Sequence, residues 1–94
     1  MKPEIKPGLA VISRMGRDKN RFFVVLYKVD ADFVMVADGR SRPLAHPKRK
    51  RRKHLMATGH EFPALVEKNQ RGKLTDHDLR MALGPLQNPP QDPA

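Results

Sequence analysis

The sequence predicts a mainly β fold, a small antiparallel barrel followed by a short C-terminal helical hairpin. Three observations carry this expectation. Short apolar runs rich in β-branched and aromatic residues follow one another closely between residues 8 and 57. Residues that turns require stand between them: Gly16, Asn20, Asp30 and the pair Asp38-Gly39. Beyond residue 57 the pattern becomes helical, with start and stop signals in place. A barrel suits a chain of 94 residues, because closing a sheet on itself removes exposed edges and needs little mass.

The first strand lies in "GLAVIS" (Gly8–Ser13) and ends at the turn "RMGRDKNR", where Gly16 and Asn20 tolerate positive φ. "FFVVLYKV" (Phe22–Val29) is too short and too β-prone for a helix, and stops at "DAD" (Asp30–Asp32). "FVMVA" (Phe33–Ala37) is the third strand. Asp38-Gly39 favours a two-residue type I′ turn, so a fourth strand is expected to return over Arg40–Ala45. Pro43 and Pro47 lack the N–H of a central ladder and mark an edge or bulge. "HLMA" (His54–Ala57) supplies a fifth short strand.

"EFPALVEKNQRG" (Glu61–Gly72) reads as a helix with Pro63 in its first turn and Gly72 just past its end. In "LTDHDLRMALG" Thr75 takes the N-cap and Asp78 the third helical position, close to a capping box, with Leu74 placed to staple onto Leu79. Phe62, Leu65, Val66, Leu79 and Leu83 form an apolar face, to pack on the barrel or on a partner. The expected division is a lead-in over 1–7, the barrel over 8–57, the helical hairpin over 58–84 and a disordered proline-rich tail over 85–94.

Nineteen Lys and Arg against ten Asp and Glu give a formal charge of +9, which points to a polyanionic partner. The excess is uneven: residues 1–54 hold 15 basic and 5 acidic side chains, whereas residues 55–94 hold 4 and 5. At the centre of the excess is "PKRKRRKH" (Pro47–His54), six consecutive cations with no acid among them. An anionic membrane surface fits poorly, since the run lacks interleaved apolar residues to insert. No apolar stretch approaches the length of a membrane span, and cysteine is absent, so the expected location is the cytoplasm.

Catalysis and metal binding find no footing in the residues. The four histidines, His46, His54, His60 and His77, show no close ligand spacing. Asp30, Asp32 and Asp38 each sit where a turn calls for Asp. No nucleophile with a paired base and no phosphate-binding loop is present, so neither an enzyme, nor a cofactor, nor a small-molecule substrate is expected.

"GLAVISRMGRDKNRFFVV" (Gly8–Val25) resembles a KOW motif, in which an apolar strand leads to a glycine, a basic loop and a second apolar strand. The chain is further similar to small bacterial KOW-domain RNA-binding proteins related to the fourteenth eukaryotic-type large-subunit ribosomal protein. That similarity takes in "VMVADGRSRPL", "PKRKRRKHLMAT" and "LTDHDLRMAL", and runs from about Gly8 to Leu83. It implies an SH3-like barrel and a non-catalytic RNA-binding protein whose partner is large-subunit ribosomal RNA, with ribosomal proteins as neighbours. One departure stands out: a KOW motif commonly has a second glycine after its lysine, and here Asn20 takes that place. Asn is the next-best occupant of left-handed geometry.

On this reading Gly16 and Asn20 shape the loop, and Arg14, Arg17, Lys19 and Arg21 crowd one rim of the barrel. Arg40 and Arg42 join from the Asp-Gly hairpin. The basic run adds Lys48, Arg49, Lys50, Arg51, Arg52 and Lys53, with His54 beside them. Arg grips phosphate bidentately, whereas Lys acts as a point charge. In a strand the run would point its members alternately to opposite faces. Phe22, Phe23, Tyr27 and Phe33 all lie in strands that need core side chains, which favours recognition of shape and phosphate in folded RNA over base stacking. Two other functions remain open at this point. One is a KOW module of the transcription-elongation type, contacting polymerase or nascent RNA; the other is an interaction adaptor acting through the helical hairpin.

Overall fold

An uninterrupted apolar run such as Phe22–Leu26 implies a strand buried on both faces, and the chain provides a core for each. The structure, a computed structural model, describes residues 4–87. Its strands are β1 (Leu9–Ser13), β2 (Phe22–Lys28), β3 (Phe33–Ala37), β4 (Lys48–Arg51) and β5 (Leu55–Glu61), followed by helices α1 (Pro63–Gln70) and α2 (Asp76–Gln87). All neighbouring strands are antiparallel, in the order β4-β3-β2-β1-β5. A 3-10 turn over Arg52–His54 leads from one end strand of the sheet to the other, giving a small barrel-like unit.

One sheet face gathers Leu9, Val11, Phe23, Val25, Val34, Val36 and Leu55 into an inner core, with Ile5 and Ala57 packed against it. The other face gives Ala10, Val24, Leu26 and Ala37 to a second core, completed by Leu65, Leu79 and Leu83 of the helices. The strict alternation along β2 explains why "FFVVL" carries no polar residue. Both helices therefore pack on the sheet, and the apolar face foreseen at Leu65, Leu79 and Leu83 is spent there. Leu79 and Leu83 are fully buried.

The helix signals act as read. Pro63 opens α1, and Gly72 takes a φ of 69° just past its end. The capping box is complete: Thr75 Oγ1 accepts the Asp78 N–H at 3.2 Å, while the Asp78 carboxylate accepts the Thr75 N–H at 3.1 Å. α2 runs on through Pro85 to Gln87, so residues 85–87, expected to belong to the tail, are helical; Leu86 packs against the second core and holds this last turn. Residues 88–94 lie outside the described residues. β5 likewise passes the expected end of the barrel at 57 and reaches Glu61.

The fourth strand is the main correction. Arg40–Ala45 is an irregular loop, and the basic run itself forms β4. The reason lies in the backbone donors. The Asp38 carboxylate accepts the N–H groups of Arg40 and Arg42 at 2.9 and 2.8 Å, Asp76 accepts that of Leu44 at 2.8 Å, and Pro43 has none to give. With the donors of the alternate positions Arg40, Arg42 and Leu44 committed to side chains, that row of the segment has none left for a sheet ladder. Gly39 does not form a two-residue hairpin either. Its φ is 79°, and a Cβ there would collide with the backbone oxygen of Asp76, so Gly39 is the point where this loop closes onto α2.

Candidate functional site

The loop between β1 and β2 is built on left-handed residues. Gly16 has a φ of 80° and Asn20 a φ of 70°, the only positive φ at a non-glycine residue among the described residues. Asn20 thus takes up the left-handed conformation expected of it in this turn. Its N–H donates to the Ser13 carbonyl at 2.7 Å, and the Lys19 N–H donates to the Gly16 carbonyl at 3.2 Å, closing two nested turns. Arg14, Arg17, Lys19 and Arg21 are left exposed.

One member of this loop turns inward. Asp18 is 5% exposed and meets Arg42 and Lys50 through the same carboxylate oxygen, each at 3.3 Å. Burial alone would push the Asp18 carboxyl up, but the hydrogen bond from Lys50 and the charges of Arg42 and Lys50 outweigh it and hold the group below its ordinary value of 3.8. The run without an internal acid therefore has an acid from elsewhere. Asp18 fastens the β1–β2 loop, the 38–47 loop and β4 to one another.

β4 is an end strand, where charged side chains are tolerated and guard the open edge. Its register with β3 sorts the charges. Lys48 and Lys50 stand opposite Val36 and Val34, on the inner-core side, while Arg49 and Arg51 stand opposite Met35 and Phe33, on the other face. Lys50 is consumed by Asp18, and its side chain is only 11% exposed. Among the described residues, Lys48, Arg49, Arg51, Arg52 and Lys53 have no acidic partner.

The 3-10 turn brings the end of the run to the β1–β2 loop. The Arg14 N–H donates to the His54 carbonyl at 2.8 Å, tying the two segments together. Between them opens a groove of about 540 Å³, walled by Arg14, Lys19, Asn20, Lys53 and His54. Ile12, Met15 and Met56 also line it, the two methionines being exposed. A second hollow of about 330 Å³ shares Arg14, Lys53 and Met56 and adds Arg52.

Of the residues singled out in the sequence, Arg14, Lys19, Asn20, Lys53 and His54 thus converge on one groove, with Gly16 shaping its loop. Arg49 and Arg51 lie on a different face. Arg42 is half-buried against Asp18, and Arg21 donates to the Ser41 hydroxyl at 2.7 Å. Arg17, Arg40 and Lys48 are exposed but do not line the groove.

Three features were not foreseen. Nothing local to Asp18 marks the partners it finds across the fold. Met15 and Met56 carried no polar signal. Tyr27 is half-exposed, although its strand was expected to use it in a core. The cause is a bulge: β2 advances two residues, Val25 to Tyr27, where β3 advances one, Val36 to Met35.

No protein-family model matches the chain, and a search of curated proteins found no significantly similar relative. Among the described residues no helix is long and apolar enough to cross a membrane.

Proposed function

We propose that the protein is a non-catalytic RNA-binding protein of the KOW type, acting on structured RNA of the large ribosomal subunit. The observation that carries the RNA reading is the convergence of the β1–β2 loop and the end of the basic run on one groove, with cations on both walls. Phosphate is the ligand chemistry such walls fit, since Arg14, Lys19 and Lys53 offer only donors and positive charge. The open position of the groove suits a backbone lying across it. The ribosomal assignment rests on the sequence resemblance.

Fluorescence anisotropy with a labelled ribosomal RNA hairpin, repeated over a salt series, tests this reading. Neutralisation of about six phosphates predicts that log affinity falls with log salt at a slope of about −5. Binding that is weak and independent of salt would overturn it.

A further inference from the structure

The sheet face that carries the second core is only partly covered by the helices. Ala10, Val24, Leu26 and Ala37 are buried beneath them, but toward the β4 edge the same face continues as Tyr27, Met35 and Phe33. Tyr27 is 50% exposed, and Phe33 and Met35 are half-buried. The β2 bulge sets Tyr27 opposite Met35, and the β4 register sets Arg49 opposite Met35 and Arg51 opposite Phe33. Both guanidinium groups stand over the Phe33 ring, at 4.7 Å for Arg49 and 5.1 Å for Arg51 from its centre.

Two guanidinium groups at one ring are held in place by cation–π attraction. Each keeps outward donors, and no acid pairs with either among the described residues. The patch therefore combines the half-exposed Tyr27 ring and neighbouring apolar side chains with unneutralised positive charge beside them. That combination matches unpaired nucleotides, whose bases offer π-faces and whose backbone is anionic. A docking protein helix would want apolar area without two bare arginines at its centre, and a duplex would leave Tyr27 unused.

We infer that this face, through Tyr27, Phe33, Arg49 and Arg51, binds single-stranded RNA: a base stacks on Tyr27, and the arginines take the adjoining phosphates. The inference rests on the RNA reading above and deepens it. The groove at Arg14 and Lys53 holds backbone of structured RNA, while the β2–β4 face takes an unpaired stretch.

The chain has one tyrosine and no tryptophan, so its intrinsic fluorescence reports on Tyr27 alone. The experiment titrates the full chain with a fluorescein-labelled ten-nucleotide oligouridine and, separately, with a labelled RNA duplex. Anisotropy reports binding, and tyrosine emission reports stacking. The expected result is quenching by the single strand with the same midpoint as the anisotropy change, and little quenching by the duplex. Tyr27→Ala should weaken oligouridine binding about tenfold and duplex binding less than twofold, leaving the salt slope unchanged because stacking releases no counterions. Arg51→Gln should lower that slope. RNA binding with unquenched tyrosine would overturn the inference and leave the groove reading standing. Absence of binding to either RNA would overturn both, and would turn this face toward a protein partner.

Discussion

Lys50, in the middle of the basic run, holds its ammonium 3.3 Å from a carboxylate oxygen of Asp18, in the loop after the first strand. Arg42 reaches the same oxygen, so one buried acid gathers two cations from two other segments. This ion pair sets Lys50 and Arg42 apart from Lys48, Arg49, Arg51, Arg52 and Lys53, which have no acidic partner among the described residues. It also positions the β1–β2 loop against β4.

Asp18→Asn leaves Lys50 and Arg42 without their counter-charge. Breaking a buried pair typically costs about 3–5 kcal/mol, and because Arg42 is a third exposed a loss of about 2–3 kcal/mol is expected here. Urea denaturation checks it; an unchanged midpoint would mean that the ion pair carries no stability.

The same residue predicts an acid dependence. Its folded pKa lies below the ordinary value of 3.8, so its stabilising contribution is present above that value and is lost as pH falls through the folded pKa. Asp78 is also lowered, by hydrogen bonds from Lys68 and Thr75, and behaves alike in both proteins. The stability difference between wild type and Asp18→Asn should therefore shrink below about pH 4, where the wild-type carboxyl begins to protonate. A difference that stays constant down to about pH 2 would contradict the assignment.

Asn20 offers a test of the loop geometry. Asn20→Gly keeps the left-handed backbone and should alter stability by less than about 0.5 kcal/mol, whereas Asn20→Val should cost about 1–2 kcal/mol. Thermal melts of the two variants side by side give the comparison.

Thr75→Ala removes the hydroxyl that caps α2 and should destabilise by about 1 kcal/mol. RNA affinity, measured well below the melting transition, should stay within twofold of wild type, because the capping box lies outside the proposed interface.

Lys19 and Lys53 face the groove from different segments and should contribute independently. Lys19→Gln with Lys53→Gln is expected to make the salt slope shallower by about 2, one for each phosphate no longer neutralised. Lys73→Gln, between the helices and away from the groove, serves as the control and should change nothing.

The strands β1, β2 and β3, the two helices and the capping box were legible because each is written in local chemistry: β-branched runs, Pro63, Gly72, and the pair Thr75 and Asp78. The fourth strand was not. Asp38-Gly39 suggested a tight hairpin, yet Asp38 captures the donors of Arg40 and Arg42, and Asp76 captures that of Leu44 from 32 residues away. Such long-range hydrogen bonds leave no local trace, and neither does the choice of Lys50 by Asp18. The free cations, in contrast, were visible as a charge excess, although their division between a groove and a separate face follows only from strand register. The exposure of Tyr27 depends on a bulge that "FFVVLY" does not announce.

The most direct test of the account is ultraviolet crosslinking of the protein to RNA in its own cells, with sequencing of the attached fragments and mass spectrometry of the attached peptides. The expected result is a compact cluster of fragments in large-subunit ribosomal RNA, joined to peptides from residues 14–21 and 48–56. Crosslinks absent, or no more frequent than in a Lys19→Glu, Lys53→Glu variant, would contradict it.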